Sequence, residues 1–193
     1  MKTDVYERET TTTARPSPGK PSAAQPNQQE IMKKVEAAGR PGPAHQALND
    51  LVGDWKAEVK CWMQPGSPPE VTQGTAQVRW TLNNHFLEED FHGQMMGKPF
   101  SGRTLMGFDN TKQTFNSVWV SDSQTSMFVS EGKGDSSNKV ITQEGKASCA
   151  ATGRKEVPMR TVLRVIDANK HVFEMYDATQ GDARTMEITY TRK

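Results

Sequence analysis

The sequence predicts an all-β protein, an antiparallel up-and-down barrel of about ten strands. Three observations carry that expectation. Apolar and polar residues alternate with a period of two in run after run between residues 54 and 192. Turn-forming clusters such as "PGSPP", "NNH", "DNTK", "EGKGDSSN", "DANK" and "TQGD" separate those runs. All seven Phe and all four Trp lie after residue 54, so the apolar payload is confined to the same region.

Residues 1–44 read differently. They hold six of the eleven prolines, the Thr10–Thr13 run and no Phe or Trp. Such a segment buries too little apolar surface to offset the entropy of ordering it, so a disordered tail is expected. Within it, Ile31, Val35 and Ala38 can share one face of a short helix over 30–38, stopped by Gly39. A barrel domain then spans 45–193. It opens on the helix-like "PAHQALNDLVG", with Pro43 near its first turn and Gly53 just past its end.

The strands follow in order. In 54–63, Trp55, Ala57, Val59, Cys61 and Met63 alternate with Lys56, Glu58 and Lys60. Run 71–82 puts Ala76, Val78, Trp80 and Leu82 on one face. Run 86–94 ends at "MMGKP", and 100–108 alternates Phe100, Gly102, Thr104, Met106 and Phe108. Run 113–121 carries Phe115, Ser117 and Trp119 together, followed by 125–131 and 139–147. After a loop "CAATGRKE", run 158–167 sets Met159, Thr161, Leu163 and Val165 opposite Arg160, Val162 and Arg164. Runs 171–177 (Phe173, Met175) and 184–192 (Met186, Ile188, Tyr190) complete the set. Closing ten consecutive strands removes exposed edges. A two-sheet sandwich is the alternative.

Bulk properties narrow the function classes. Twenty-four basic and 23 acidic side chains give a net charge of +1, which provides no electrostatic footprint for nucleic acid or an anionic membrane. No apolar run approaches the roughly 20 residues a membrane span needs, and no apolar segment marks a secretory signal. Two cysteines, Cys61 and Cys149, set up no disulfide framework. A soluble cytoplasmic protein is expected.

"LVGDW" (51–55), "MMGKPFSGRTLMGFDN" (95–110), "VWVSDSQTSM" (118–127), "HVFEMYD" (171–177) and "MEITYTRK" (186–193) resemble the DUF1579 family, a domain of unknown function. The resemblance covers the chain from His45 to Lys193 and implies a calycin-like barrel related to lipocalins, fatty-acid-binding proteins and nitrobindins. It further implies that Gly53-x-Trp55 opens the first strand and that Arg192, from the last strand, lies over the Trp55 ring. These three residues are therefore expected to be structural. The nitrobindin branch implies haem, but none of the four histidines matches its ligand, so no cofactor is expected.

His45, His85, His92 and His171 show no metal-ligand spacing and are expected to be surface or turn residues, with no metal site. Nor can an acid–base–nucleophile constellation be assembled, which leans the reading away from an enzyme. In "HFLEEDFHG", alternation puts Glu89 on one face with Leu87 and Phe91; if that face is the interior, a buried carboxylate there needs Arg or Tyr partners, or a ligand, and otherwise Glu89 is a polar residue at the rim. Around Glu89, the inward phase offers Met106, Trp119, Met127, Met159, Phe173 and Met175 as ligand-facing side chains. Two functions follow: a non-enzymatic barrel holding a small hydrophobic ligand, or an interaction module with a filled core. The turn "MMGKPF" is a hairpin connection, a lid or a homo-oligomer contact.

Overall fold

The structure, a computed structural model, describes residues 27–150 and 152–193. Ten strands form one closed antiparallel barrel: β1 (Gly53–Cys61), β2 (Glu70–Thr81), β3 (Phe86–Met95), β4 (Lys98–Asp109), β5 (Thr114–Ser121), β6 (Phe128–Gly134), β7 (Val140–Cys149), β8 (Arg154–Asp167), β9 (Lys170–Asp177) and β10 (Ala183–Arg192). Each strand pairs with its chain neighbours, and β1 pairs with β10 to close the ring. The barrel, and not the sandwich, is therefore the fold.

Alternation fixes which side chains face in. Through the cross-strand register, the apolar phase of every strand meets the apolar phase of the next: Trp55 opposes Ala76 and Arg192, Leu87 opposes Met106, and Leu163 opposes Phe173. Several boundaries move. The "RKE" segment, expected as loop, belongs to β8, with Arg154 pairing with Cys149, the last residue of β7. β6 starts at Phe128, after the expected residue 125, and runs on to Gly134 through part of the expected "EGKGDSSN" loop.

One end of the barrel is capped by helical turns. The expected leading helix is split into α2 (Pro43–Gln46) and a 3-10 turn, Asn49–Leu51. Leu48 and Leu51 point from it into the core, and Trp55 Nε1 donates to Leu51 O at 2.8 Å. Ahead of them lies α1 (Gln28–Ala38), capped by Asn27 and bearing no buried residue. Its trailing segment is tied to the barrel by His85 Nε2 at 2.7 Å from Gly39 O and by Asn110 Nδ2 donating to Ala38 O and Arg40 O. The disorder expected for residues 1–26 lies outside the described residues.

The core sits at this capped end. Trp55, Ala57, Leu87, Phe115, Ile141 and Tyr190 are buried there, in a cluster that Phe91 continues away from the cap. A smaller cluster of Phe128, Val157 and Met159 packs higher up on the β6–β8 wall.

Candidate functional site

The capped floor of the barrel is built around Trp55. Its indole is fully buried, with the Arg192 guanidinium carbon 4.3 Å from the ring centroid. The guanidinium also donates to Val52 O (2.9 Å), Asp50 O (3.1 Å) and Ala168 O (2.6 Å), so it links three segments while lying on an aromatic face. Gly53 has φ +145, and a Cβ there would collide with Arg192 Nη1; only glycine lets the guanidinium take this place. Gly53, Trp55 and Arg192 thus form one unit at the seam.

His171 corrects the expectation of four surface or turn histidines. It faces inward, is 4% exposed, stacks on Tyr190 (centroids 4.2 Å, 16° between planes) and meets Trp55 edge-on at 4.4 Å. Its Nδ1 has no hydrogen-bond partner. Burial, assisted by the neighbouring Arg192 charge, drives its pKa down to about 3, so the ring is neutral. His45 is likewise buried, its Nδ1 accepting from Gly42 N at 3.1 Å and its ring edge-on to Phe108. The polar type of both residues concealed their position in the apolar phase.

Above the floor lies Glu89. It pairs with Val78 and Thr104 in the ladder and points into the barrel. Tyr190 Oη donates to Glu89 Oε1 at 2.8 Å, reaching it from β10 across β1 and β2, where Ala57 and Ala76 carry only methyl groups. Thr104 Oγ1 donates to Glu89 Oε2 at 3.1 Å. Burial raises the Glu89 pKa, and these two hydrogen bonds oppose the rise. The Tyr190 phenol is pushed well above its ordinary value, first by burial and then by the Glu89 carboxylate. Among the described residues, Glu89 has no ion-pair partner.

Beyond Glu89, away from the cap, three aromatic rings form a wall. Phe91, Phe100 and Trp119 lie with centroids 6.1–6.3 Å apart. Glycines make room for them: a Cβ on Gly102 would sit in the Trp119 ring, and one on Gly74 or Gly93 would meet the Phe91 ring. Beside this wall, on β5–β7, Ser117 Oγ donates to Gln143 Oε1 at 2.9 Å and Ser130 Oγ lies 3.5 Å from the same atom. Gln143 Nε2 is buried without a partner.

Inward-facing Val59, Glu89, Thr104, Trp119, Leu163, Phe173 and Ile188 retain accessible surface, and this partly exposed set makes up the half-open part of the interior, while inward-facing Phe91, Phe128, Val157 and Met159 are buried.

The expected ligand-facing residues divide accordingly. Glu89, Trp119, Phe173 and Met175 line the half-open part. Met106 is buried in the capped core and Met159 in the smaller cluster. Met127 corrects the expectation: it precedes β6, takes the phase opposite inward Phe128, and is 68% exposed. Its run was read as a strand three residues too long at its start. Tyr190, Thr104, Phe91 and Phe100 were not singled out as site residues. Tyr190 lies 101 residues from Glu89, and no local signal connects them.

Comparison with known proteins adds the following. The family model described as "Protein of unknown function (DUF1579)" matches residues 40–192. No curated protein matches the chain. The crystal structure of Rv2717c from M. tuberculosis is similar at 17% identity with a TM-score of 0.59, over 80% of this chain and 99% of that one. A redesigned β-barrel matches at 12% identity with a TM-score of 0.41, over 78% of this chain and 96% of that one. No described helix is long and apolar enough to cross a membrane.

Proposed function

The chain belongs to the DUF1579 family, whose description assigns no activity, and from its own interior we propose that it binds a small, mostly apolar molecule inside the barrel. One observation carries this reading: a carboxyl group faces a half-open interior whose lining is mostly aromatic and aliphatic, with Thr104, Ser117, Ser130 and Gln143 among its polar groups. Burial of apolar ligand surface supplies the binding free energy, at roughly 25 cal/mol per Å². Glu89, with Tyr190 and Thr104 holding it, fixes the ligand's orientation. The calycin-like relationship that the family resemblance implies supports the same reading, as an analogy only. It is binding without chemical conversion.

The residues present do not fit a histidine-ligated haem. His45 and His171 are buried at the cap, His85 sits in the β2–β3 turn, and His92 lies on the outer face, hydrogen-bonded to Ser101. No histidine lines the half-open part of the barrel.

Native mass spectrometry of the purified protein tests the binding reading. The expected result is a bound small molecule, released on denaturation, or uptake of a neutral fluorescent probe such as N-phenyl-1-naphthylamine. A clean ligand-free mass together with no probe uptake refutes it. That outcome leaves the interaction module, which one observation favours: α1 exposes Ile31, Met32 and Val35 on a helix that buries nothing.

A further inference from the structure

We infer that the molecule held in the barrel is an organic cation, an apolar body carrying a protonated amine that pairs with Glu89. The inference rests on the proposed interior binding and names its ligand class. It is argued from what surrounds the carboxyl group.

Both oxygens of Glu89 accept hydrogen bonds from neutral hydroxyls, Tyr190 Oη and Thr104 Oγ1. Hydroxyl donors hold a carboxylate in place but bring no countercharge. Among the described residues, no lysine, arginine or histidine forms an ion pair with it, whereas its strand neighbours Glu88 and Asp90, on the opposite face, pair with Arg103 and Arg79. An isolated carboxylate in a low-dielectric interior is costly, and an incoming cation relieves that cost.

The aromatic wall points to the same class. Glu89, Thr104, Trp119 and Phe128 lie in one cross-strand row, from β3 to β6. The Trp119 ring leans from that row over Gly102, toward the end where the β3–β4 hairpin lies, and there it joins Phe91 and Phe100. Phe91 is two residues beyond Glu89 on the same strand in the same direction. A molecule approaching the carboxylate from that end meets the Phe100 and Trp119 rings, which retain accessible surface, while Phe91 is buried. Aromatic faces carry negative quadrupolar potential and attract cations, most strongly when both are desolvated. An acid behind an aromatic wall is a selective arrangement for an amine. A fatty acid would instead place its carboxylate against Glu89, where like charges repel.

Competition against N-phenyl-1-naphthylamine at neutral pH tests this on the intact protein, using octylamine, 1-octanol and octanoate as a series of equal chain length. Octylamine should displace the probe at a concentration at least about tenfold lower than 1-octanol, and octanoate should be the weakest. In Glu89→Gln, shown to be folded by its thermal unfolding, amine and alcohol should converge. Equal potency of amine and alcohol on the wild-type protein overturns the inference while leaving interior binding intact. So does an amine preference that survives in Glu89→Gln. Failure of the probe to bind at all removes the interior-binding reading, and the inference with it.

Discussion

Consider the substitution His171→Phe at the capped end of the barrel. The wild-type imidazole is buried between Tyr190 and Trp55 and is held neutral, its pKa lowered from 6.5 to about 3. In the unfolded chain the same ring takes up a proton near its ordinary pKa. The unfolded state therefore binds more protons than the folded state over the interval between the two values, and acid favours unfolding there. This contribution to stability is complete above about pH 6.5 and is lost as pH falls toward 3, at about 1.4 kcal/mol per pH unit. Lowering the pH from about 7.5 to about 4.5 should cost the wild-type protein roughly 2.7 kcal/mol through this residue. Phenylalanine keeps an aromatic ring at the site and has no proton to gain. Urea unfolding followed by tryptophan fluorescence at the two pH values gives the measurement. His45, lowered by burial, and Glu89, raised by burial, titrate in both proteins, so the difference between the two profiles isolates His171. Parallel pH profiles for the wild-type protein and His171→Phe would refute the reasoning.

Other perturbations follow from the same geometry. Trp55→Ala empties a fully buried indole site and strands the Arg192 guanidinium, and should cost about 3–5 kcal/mol by thermal or urea unfolding; a loss under about 1 kcal/mol contradicts its central place in the core. Gly102→Ala forces a methyl group into the Trp119 ring and should cost about 1–3 kcal/mol while weakening uptake of a neutral probe; unchanged stability and uptake would show that the ring moves freely. Glu89 behaves oppositely to His171 with pH. Its folded-state pKa is raised, so its contribution is most favourable below the ordinary carboxyl range and declines as pH rises through the folded value. Glu89→Gln should therefore gain stability relative to the wild-type protein between pH 4.5 and pH 8, read as urea midpoints; a constant difference would sink this.

Strand order and facing were legible in the sequence because a period of two is a strictly local signal. Most of the ten runs contain enough alternation to assign an inward set, and the register then follows from matching those sets across short turns. Glu89 was legible for the same reason: Leu87 and Phe91 flank it in phase. Its partners were not. Tyr190 approaches from the far side of the seam, and Thr104 is one of many threonines in strands. Met127 misled because a methionine near a strand start looks like the first inward position, and the phase is set only by the ladder that begins at Phe128. His171 and Gln143 hid for a different reason. Polar types in the inward phase weaken the alternation that identifies it, and only the closed barrel shows them facing the core. Which inward side chains end up buried and which stay partly exposed depends on side-chain volumes across the barrel, such as Ala57 opposite Tyr190 and Ala76 opposite Trp55, which one-dimensional patterning does not sum.

The union of β1 with β10 also sets the order in which the molecule acquires an inside. Nine of the ten strand pairings join chain neighbours, and each can form as a hairpin or meander without reference to the rest. The tenth brings together positions such as Val52 and Arg192, 140 residues apart. Closing so long a loop costs about 2 kcal/mol more than closing a hairpin of about 20 residues. Until that happens the chain is an open, twisted ribbon with two bare edges and no interior. Trp55, Arg192 and the glycine that admits the guanidinium lie on that final joint, and so does the tyrosine that must reach Glu89. The barrel therefore has no enclosed interior until this joint forms, and the pairing that closes it also seats Trp55, Arg192 and Tyr190.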